Sequence, residues 1–305
     1  SLAGPLLSDT GGTLSTSGTF LLAFGLSGGG TLNSATASPL IQFTNTTLTT
    51  GSFLIVSDPS SAINLKGSLL NATNSSLTVN GFALVSVFAS SSLTTSATTA
   101  PLINLSGGSL TLGTGVRAVH MGGFFLSSPS ATLSGPLFKA DGTTITPSQT
   151  FPFIEISGGA SLTTGGSILD LTNTSLNLGT QPLSSLTGGS TLTNTAGPVI
   201  RISGGSLTAD ALVTSDASGN HSNTTGSLLN LTSATVTLRT LSSGFGGTDT
   251  GTFTLGTNVP LIRMVDSNLT LTGPGSFSNA LVGFGVDTGS PITQTGVALI
   301  ATNTS

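Results

Sequence analysis

A repeat of about 30 residues runs through the chain, and it limits the possible folds more than any other sequence feature. The clearest copy, residues 101–112, reads Pro-Leu-Ile-Asn-Leu-Ser-Gly-Gly-Ser-Leu-Thr-Leu. Copies begin near residues 5, 39, 68, 101, 136, 167, 198, 227, 260 and 298, at intervals of 29 to 38 residues. A weaker half-period is also visible, because similar segments begin at Pro152 and Pro182, 15 or 16 residues after a main copy.

Each copy contains the pattern of two short strands joined by a corner. Its third slot is a large apolar residue, its fourth is almost always polar and its fifth is mostly apolar, which is typical of a strand with one buried face. The seventh slot favours Gly or Asn, which tolerate the positive φ of a tight corner. A Ser/Thr-Leu-Thr segment follows as the second strand. The predicted corner residues are Gly11, Asn45, Asn74, Gly107, Gly142, Asn173 and Gly204.

Stacking such copies would bury the apolar stripe that a single copy leaves exposed. We therefore predict an all-β fold, a parallel β-solenoid (β-helix) of about ten rungs of roughly 30 residues, each from two related half-units. The alternative, a stacked sandwich of hairpins, predicts no constant corner. Residues 1–305 would form one continuous solenoid. The chain ends inside a copy and has no evident polar cap, so we expect a segment of a longer repeat protein or a stacking subunit.

The composition narrows the function classes. Charged residues make up 5% of the chain, against roughly 25% in ordinary soluble domains. Six Lys plus Arg and a net charge of −4 disfavour nucleic acid as a partner. The apolar runs are far shorter than the ~18 residues of a membrane-spanning helix, so no transmembrane segment is expected. The absence of Cys removes disulfides and thiolate metal sites.

The candidate catalytic groups are few. Glu155 and Asp170 occupy the fourth slot of neighbouring half-units, between Lys139 and Arg201 in the same slot. We interpret Lys139–Glu155–Asp170–Arg201 as an outward charge ladder. A carboxylate pair that cleaves polysaccharides is the alternative, but the chain has no Tyr or Trp to hold sugar rings. With two His and no Cys, zinc and Ser-His-Asp sites are disfavoured. We expect no catalysis, no metal and no cofactor.

The Ser/Thr-Leu-Thr strands would place hydroxyl groups outward in two columns. Neighbouring hydroxyls would be about 6.7 Å apart along a strand and about 4.8 Å apart between stacked strands. This surface resembles the Thr-x-Thr face of β-helical ice-binding proteins, although Ser and Thr are also ordinary outward β residues. Several Asn-x-Ser/Thr motifs leave glycosylation open. The candidate binding face comprises Thr47, Thr49, Ser109, Thr111, Thr144, Thr146, Ser206, Thr208, Thr235 and Thr237.

The repeat Pro-Leu-Ile-x-Leu-x-Gly-Gly-Ser-Leu-Thr resembles those of secreted bacterial β-solenoids, such as filamentous-haemagglutinin-like adhesins and autotransporter passengers. The resemblance covers nearly the whole chain but includes no diagnostic motif, so no catalytic residue is carried over. It implies a secreted, extracellular protein of the cell surface or matrix. We expect a structural component of a filament or surface fibre, built from copies of itself. The alternative is an adhesin stalk or ice-binding β-helix acting through the Ser/Thr face on surface glycans or host and matrix components.

Overall fold

The structure, a computed structural model, describes the chain in ten ranges, which are residues 1–23, 29–96, 100–122, 128–216, 218–223, 226–244, 252–254, 260–272, 292–293 and 299–302. Every regular element in these ranges is a β-strand. The described ranges accordingly contain no helix of the length and hydropathy that a membrane span requires.

The strands are short and follow one another at close intervals. In chain order they are β1 Leu7–Thr10, β2 Thr13–Ser15, β3 Thr19–Ala23, β4 Thr31–Asn33, β5 Ile41–Thr44, β6 Thr47–Thr50, β7 Ser52–Val56, β8 Ala62–Leu65, β9 Leu70–Thr73, β10 Ser76–Val79, β11 Ala83–Phe88, β12 Ser92–Thr95, β13 Ile103–Ser106, β14 Ser109–Leu112, β15 Arg117–Gly122, β16 Ser130–Leu133, β17 Phe138–Asp141, β18 Thr144–Thr146, β19 Ile154–Ile156, β20 Ser161–Thr164, β21 Leu169–Asn177, β22 Ser184–Leu186, β23 Thr191–Asn194, β24 Ile200–Ser215, β25 Asn220–Asn223, β26 Leu229–Thr232, β27 Thr235–Gly244, β28 Thr252–Thr254, β29 Ile262–Val265, β30 Asn268–Leu271, β31 Ile292–Thr293 and β32 Leu299–Thr302.

The strands stack in four columns, which we name A to D in the order in which the chain visits them. Column A contains β1, β5, β9, β13, β17, the start of β21, the start of β24, β26, β29 and β32. Column B contains β2, β6, β10, β14, β18, the end of β21, the middle of β24, the start of β27 and β30. Column C contains β3, β7, β11, β15, β19, β22 and the ends of β24 and β27. Column D contains β4, β8, β12, β16, β20, β23, β25, β28 and β31.

Pairing within the columns is parallel, and its register follows the sequence repeat except at the last copy, where Ile262 pairs with Leu299 and not with Ile300. Leu7 pairs with Ile41 and Ile41 with Leu70, so the offsets of 34 and 29 residues equal the first two intervals between copies. The predicted all-β parallel β-solenoid is therefore confirmed. It makes about seven turns, somewhat fewer than the ten predicted. Copies beyond residue 227 do supply strands to column A, but the described residues of their turns are interrupted.

The half-period corresponds to a division of each turn into two similar halves. Columns A and B form one half and columns C and D the other. The segments that begin at Pro152 and Pro182 provide β19 and β22, which pair with each other in column C and not with the main copies in column A. Equivalent slots thus occupy opposite sides of the coil.

The core fills the interior of the coil: its centre lies between columns A and C, and inward residues of columns B and D, such as Leu48 and Ile63, extend it. Slots two, three and five point inward, as in Leu40, Ile41 and Phe43, each at most 1% exposed. Phe43 of column A meets Phe53 of column C edge to face, with ring centroids 6.4 Å apart. Two similar apolar faces therefore pack on each other through one layer of side chains, as in a sheet-on-sheet core.

The corner between columns A and B combines positive φ with a buried hydroxyl group. All seven predicted corner residues have φ between 48° and 73°, and Ser233 and Asp266 adopt the same conformation at this slot without having been predicted. The next residue supplies the hydroxyl in several turns. The Thr143 N–H donates to Thr174 Oγ1 at 3.2 Å, and this hydroxyl donates to the Thr172 carbonyl at 2.8 Å.

Candidate functional site

The outer surface of the coil is divided by charge. Columns A and C pack on each other through their inner faces, so columns B and D occupy the two remaining sides and lie opposite each other. Among the outward residues whose side chains the structure describes, those of columns B and D include no Asp, Glu, Lys, Arg or His. The charged groups of the described ranges lie on columns A and C and at the corners, apart from the inward His221. We name the outward surfaces of columns B and D face B and face D.

Face B contains all ten residues of the predicted binding face. They lie at outward register positions of one column, and each is exposed or half-buried. The hydrogen-bonded ladder is interrupted, however, because no strand pairing joins β18 to β21, although these two strands are in contact. Face B comprises Thr13, Ser15, Thr47, Thr49, Ser76, Thr78, Ser109, Thr111, Thr144, Thr146, Ser175, Asn177, Ser206, Thr208, Thr235, Thr237, Asn268 and Thr270.

Face D is a second array of small polar side chains, which our sequence analysis missed. The half-period could have revealed it, because Ser161-Leu162-Thr163 repeats the Ser/Thr-Leu-Thr segment. Its nine strands form one uninterrupted parallel sheet. In the six strands whose outward side chains are described, face D comprises Thr31, Asn33, Ala62, Asn64, Ser92, Thr94, Ser130, Thr132, Ser161, Thr163, Thr191 and Thr193.

Hydrogen bonds between turns fix part of face D. Asn64 Nδ2 donates to Asn33 Oδ1 at 2.9 Å, and Thr94 Oγ1 donates to Asn64 Oδ1 at 2.7 Å. Further along, Thr191 Oγ1 donates to Ser161 Oγ at 3.1 Å. These bonds run along the coil axis and hold the side chains in a regular arrangement without external partners.

The predicted charge ladder is partly wrong, because Glu155 is not in it. Lys139, Asp170 and Arg201 are neighbours on successive turns of column A. Arg201 Nε lies 3.2 Å from Asp170 Oδ1. Burial raises the pKa of Asp170, against the opposing effect of Arg201 and Lys139. Glu155 lies in column C between His120 and Ser185, because the half-unit offset places it on the opposite side of the coil.

Glu155 instead belongs to an external cluster on column C that sequence reasoning missed. It accepts a hydrogen bond from Arg117 Nε. The Arg117 guanidinium lies over the rings of Phe82 and Phe151, at 4.9 and 3.7 Å from their centroids. No shared motif connects these residues, which come from three turns.

His120 joins this cluster on its other side. Its ring centroid lies 4.8 Å from that of Phe82 and 5.0 Å from that of Phe88. Burial and, secondarily, the charge of Arg117 lower the pKa of His120 to about 4. The cluster is thus a packed brace between turns. Its cation is already paired and its imidazole is neutral at ordinary pH.

His221 is the inward residue of β25, where it continues the stack of Leu162 and Leu192 in column D. It is 3% exposed, and burial lowers its pKa to about 3. The sequence did not single out His221 as a functional residue, and the structure places it in the core.

The arrangement of acidic groups does not provide the carboxylate pair considered above. Glu155 and Asp170 lie at outward positions of columns C and A, on opposite sides of the apolar core. Within the described ranges, no three His, Asp or Glu side chains come together as a metal site would require. The regular surfaces that remain as candidates are faces B and D.

No protein-family model matches the chain. Neither the curated proteins nor the solved structures gave a significant match.

Proposed function

We propose that the chain is a non-catalytic structural component of an extracellular filament, matrix or cell-surface fibre, which assembles by end-to-end or lateral packing of solenoids. The observation that carries the proposal is the segregation of charge: among the outward side chains that the structure describes, two opposite faces of the parallel solenoid have no ionisable group. Solenoids usually remain apart through the repulsion and desolvation cost of charged surfaces. This chain has few charges, and the pairs Arg117–Glu155, Arg201–Asp170 and Arg239–Asp210 take up six of them.

The extracellular location of the protein is part of the proposal. It is supported by the likeness of the repeat to those of secreted bacterial solenoids, and the partners would be further copies of the chain.

Imaging of the purified protein tests assembly directly. We expect filaments in electron micrographs, and an axial reflection near 4.8 Å from the stacked strands in fibre diffraction. A monodisperse particle of about 30 kDa in solution scattering, at every concentration tested, would refute the proposal.

A second candidate is a binding module that acts through face B on ice or on surface glycans. It is favoured by the placement of all ten predicted residues at outward positions of one column. Thermal hysteresis and ice-crystal shaping by the monomer would support ice binding. A Thr47→Lys and Thr49→Lys double variant should then abolish both effects, and unchanged effects would exclude this part of face B.

A further inference from the structure

Face D is the longer uninterrupted ladder of the two uncharged faces. Its nine strands give eight spacings of about 4.8 Å, or about 38 Å along the axis. Several polar groups are already hydrogen-bonded along the face, as in the Asn33–Asn64–Thr94 chain. Covering them would therefore cost less than burying unpartnered groups.

The other surfaces are less suited to close packing. A contact through column A would desolvate the Arg201–Asp170 pair, whose Arg201 side chain is 49% exposed. On column C, the Phe151 ring, which is 39% exposed, covers the buried Arg117, and a contact there would have to accommodate this large side chain. Face B is interrupted after β18, and the Arg239–Asp210 ion pair lies at its edge toward column C.

The regular spacing of face D indicates what could cover it. A partner that contacts every turn must repeat at the same axial interval, and a second copy of this chain does so along its whole length. Two uncharged faces can also meet without like-charge repulsion. We propose that face D of one copy packs against face D of another, and that this contact provides the lateral association of the fibre proposed above, on which it depends.

The size of the contact predicts its strength. A face about 38 Å long and about 12 Å wide, four residues of a strand, would bury about 450 Å² on each copy. That is roughly half of the 800 Å² per partner in a standard stable interface. An isolated pair should therefore be weak, while end-to-end assembly adds further face D contacts and strengthens the association.

Single cysteines can map the contact, because the chain has none of its own. Thr132→Cys and Thr163→Cys place a thiol on face D. Thr146→Cys and Thr208→Cys are their counterparts on face B, matched in exposure, since the first of each pair is exposed and the second half-buried. Each variant is assembled, treated with a short bis-maleimide and analysed by denaturing electrophoresis.

We expect covalent dimers from the two face D variants at a yield at least five-fold above that of the two face B variants. Equal yields, or dimers from the face B variants alone, would refute the face D contact. Fibres whose face D variants do not cross-link would overturn this contact and leave the fibre proposal standing. An absence of assembly in scattering would refute the fibre proposal itself.

A charge variant provides an independent measurement. Thr163→Lys should thin the fibres to single solenoids, because it brings like charges together on face D, whereas Thr208→Lys should leave their width unchanged. Fibres of unchanged width in the Thr163→Lys variant would show that face D does not bind a second copy of the chain. Ice-crystal shaping by the wild type that this substitution abolishes would also show that the partner of face D is not a second copy.

Discussion

The buried imidazole of His221 predicts a loss of stability in mild acid. Its pKa is about 3 in the folded chain and about 6.5 in the unfolded chain. Between these values the unfolded state binds the proton and the folded state does not, so stability falls as the pH is lowered. Each pH unit below 6.5 costs about 1.4 kcal/mol, which gives about 2 kcal/mol at pH 5.

The measurement compares wild type with His221→Leu. Denaturant unfolding at pH 8 and pH 5 gives the change in unfolding free energy for each protein, and the change should be about 2 kcal/mol smaller in the variant. The comparison also cancels other titrating groups, such as Asp170, whose raised pKa acts in the opposite direction. Leu192→Ala, in the same stack, is the control and should lower stability equally at both pH values. Parallel pH dependence of wild type and His221→Leu would refute the reasoning.

Three further predictions concern the corners and the ion pairs. Gly205→Ala should lower the free energy of unfolding, measured in thermal unfolding, by about 2 kcal/mol more than Gly189→Ala. Both glycines have φ near 80°, but only at Gly205 would the added Cβ contact the backbone, 2.2 Å from the Thr174 carbonyl oxygen. Equal losses of stability in the two variants would show that the neighbouring turn, which contains Thr174, can shift to accommodate the Cβ. Thr174→Val should cost about 1–3 kcal/mol, because it leaves the Thr143 N–H without its acceptor, while the exposed Thr146→Val should change little. Hydrogen exchange at Thr143 no faster than in wild type would contradict this. Glu155→Gln should lower the free energy of unfolding by about 2–4 kcal/mol, because it leaves the buried Arg117 without its carboxylate partner. Asp210→Asn should lower it by at most about 1 kcal/mol, because its partner Arg239 is exposed to solvent. Similar losses in denaturant would argue against a special role for the brace.

The fold could be predicted because the same pattern of apolar, polar and corner residues recurs in each copy of the repeat. In column A, residues such as Ile41, Leu70 and Ile103 keep one slot apolar, and the corners keep Gly or Asn. The register therefore followed from the intervals between copies, except at the last copy, where the observed pairing of Ile262 with Leu299 differs by one residue. Ser233 and Asp266 were not predicted as corners, because the prediction relied on Gly and Asn at this slot; Asp also tolerates positive φ, whereas Ser adopts it less readily.

The candidate surfaces were harder to predict, because they depend on which side of the coil each half-unit occupies. Glu155 and Asp170 share a slot, and only the three-dimensional offset between the halves separates them. The brace of Arg117, Phe82 and Phe151 joins three turns through side-chain contacts that no periodic pattern encodes. Face D was missed because its strands follow the weaker half of the repeat.

The buried hydroxyls at the corner give the coil a direction. In each described case the N–H belongs to the earlier turn and the hydroxyl to the later one, as for Thr46 and Ser75, Thr143 and Thr174, and Ala234 and Ser267. An N–H at such a corner is satisfied only after the following turn has formed. A chain that emerges from its amino end can therefore complete these corners one after another. Growth of the coil during synthesis would leave only the newest turn with this corner N–H unpaired.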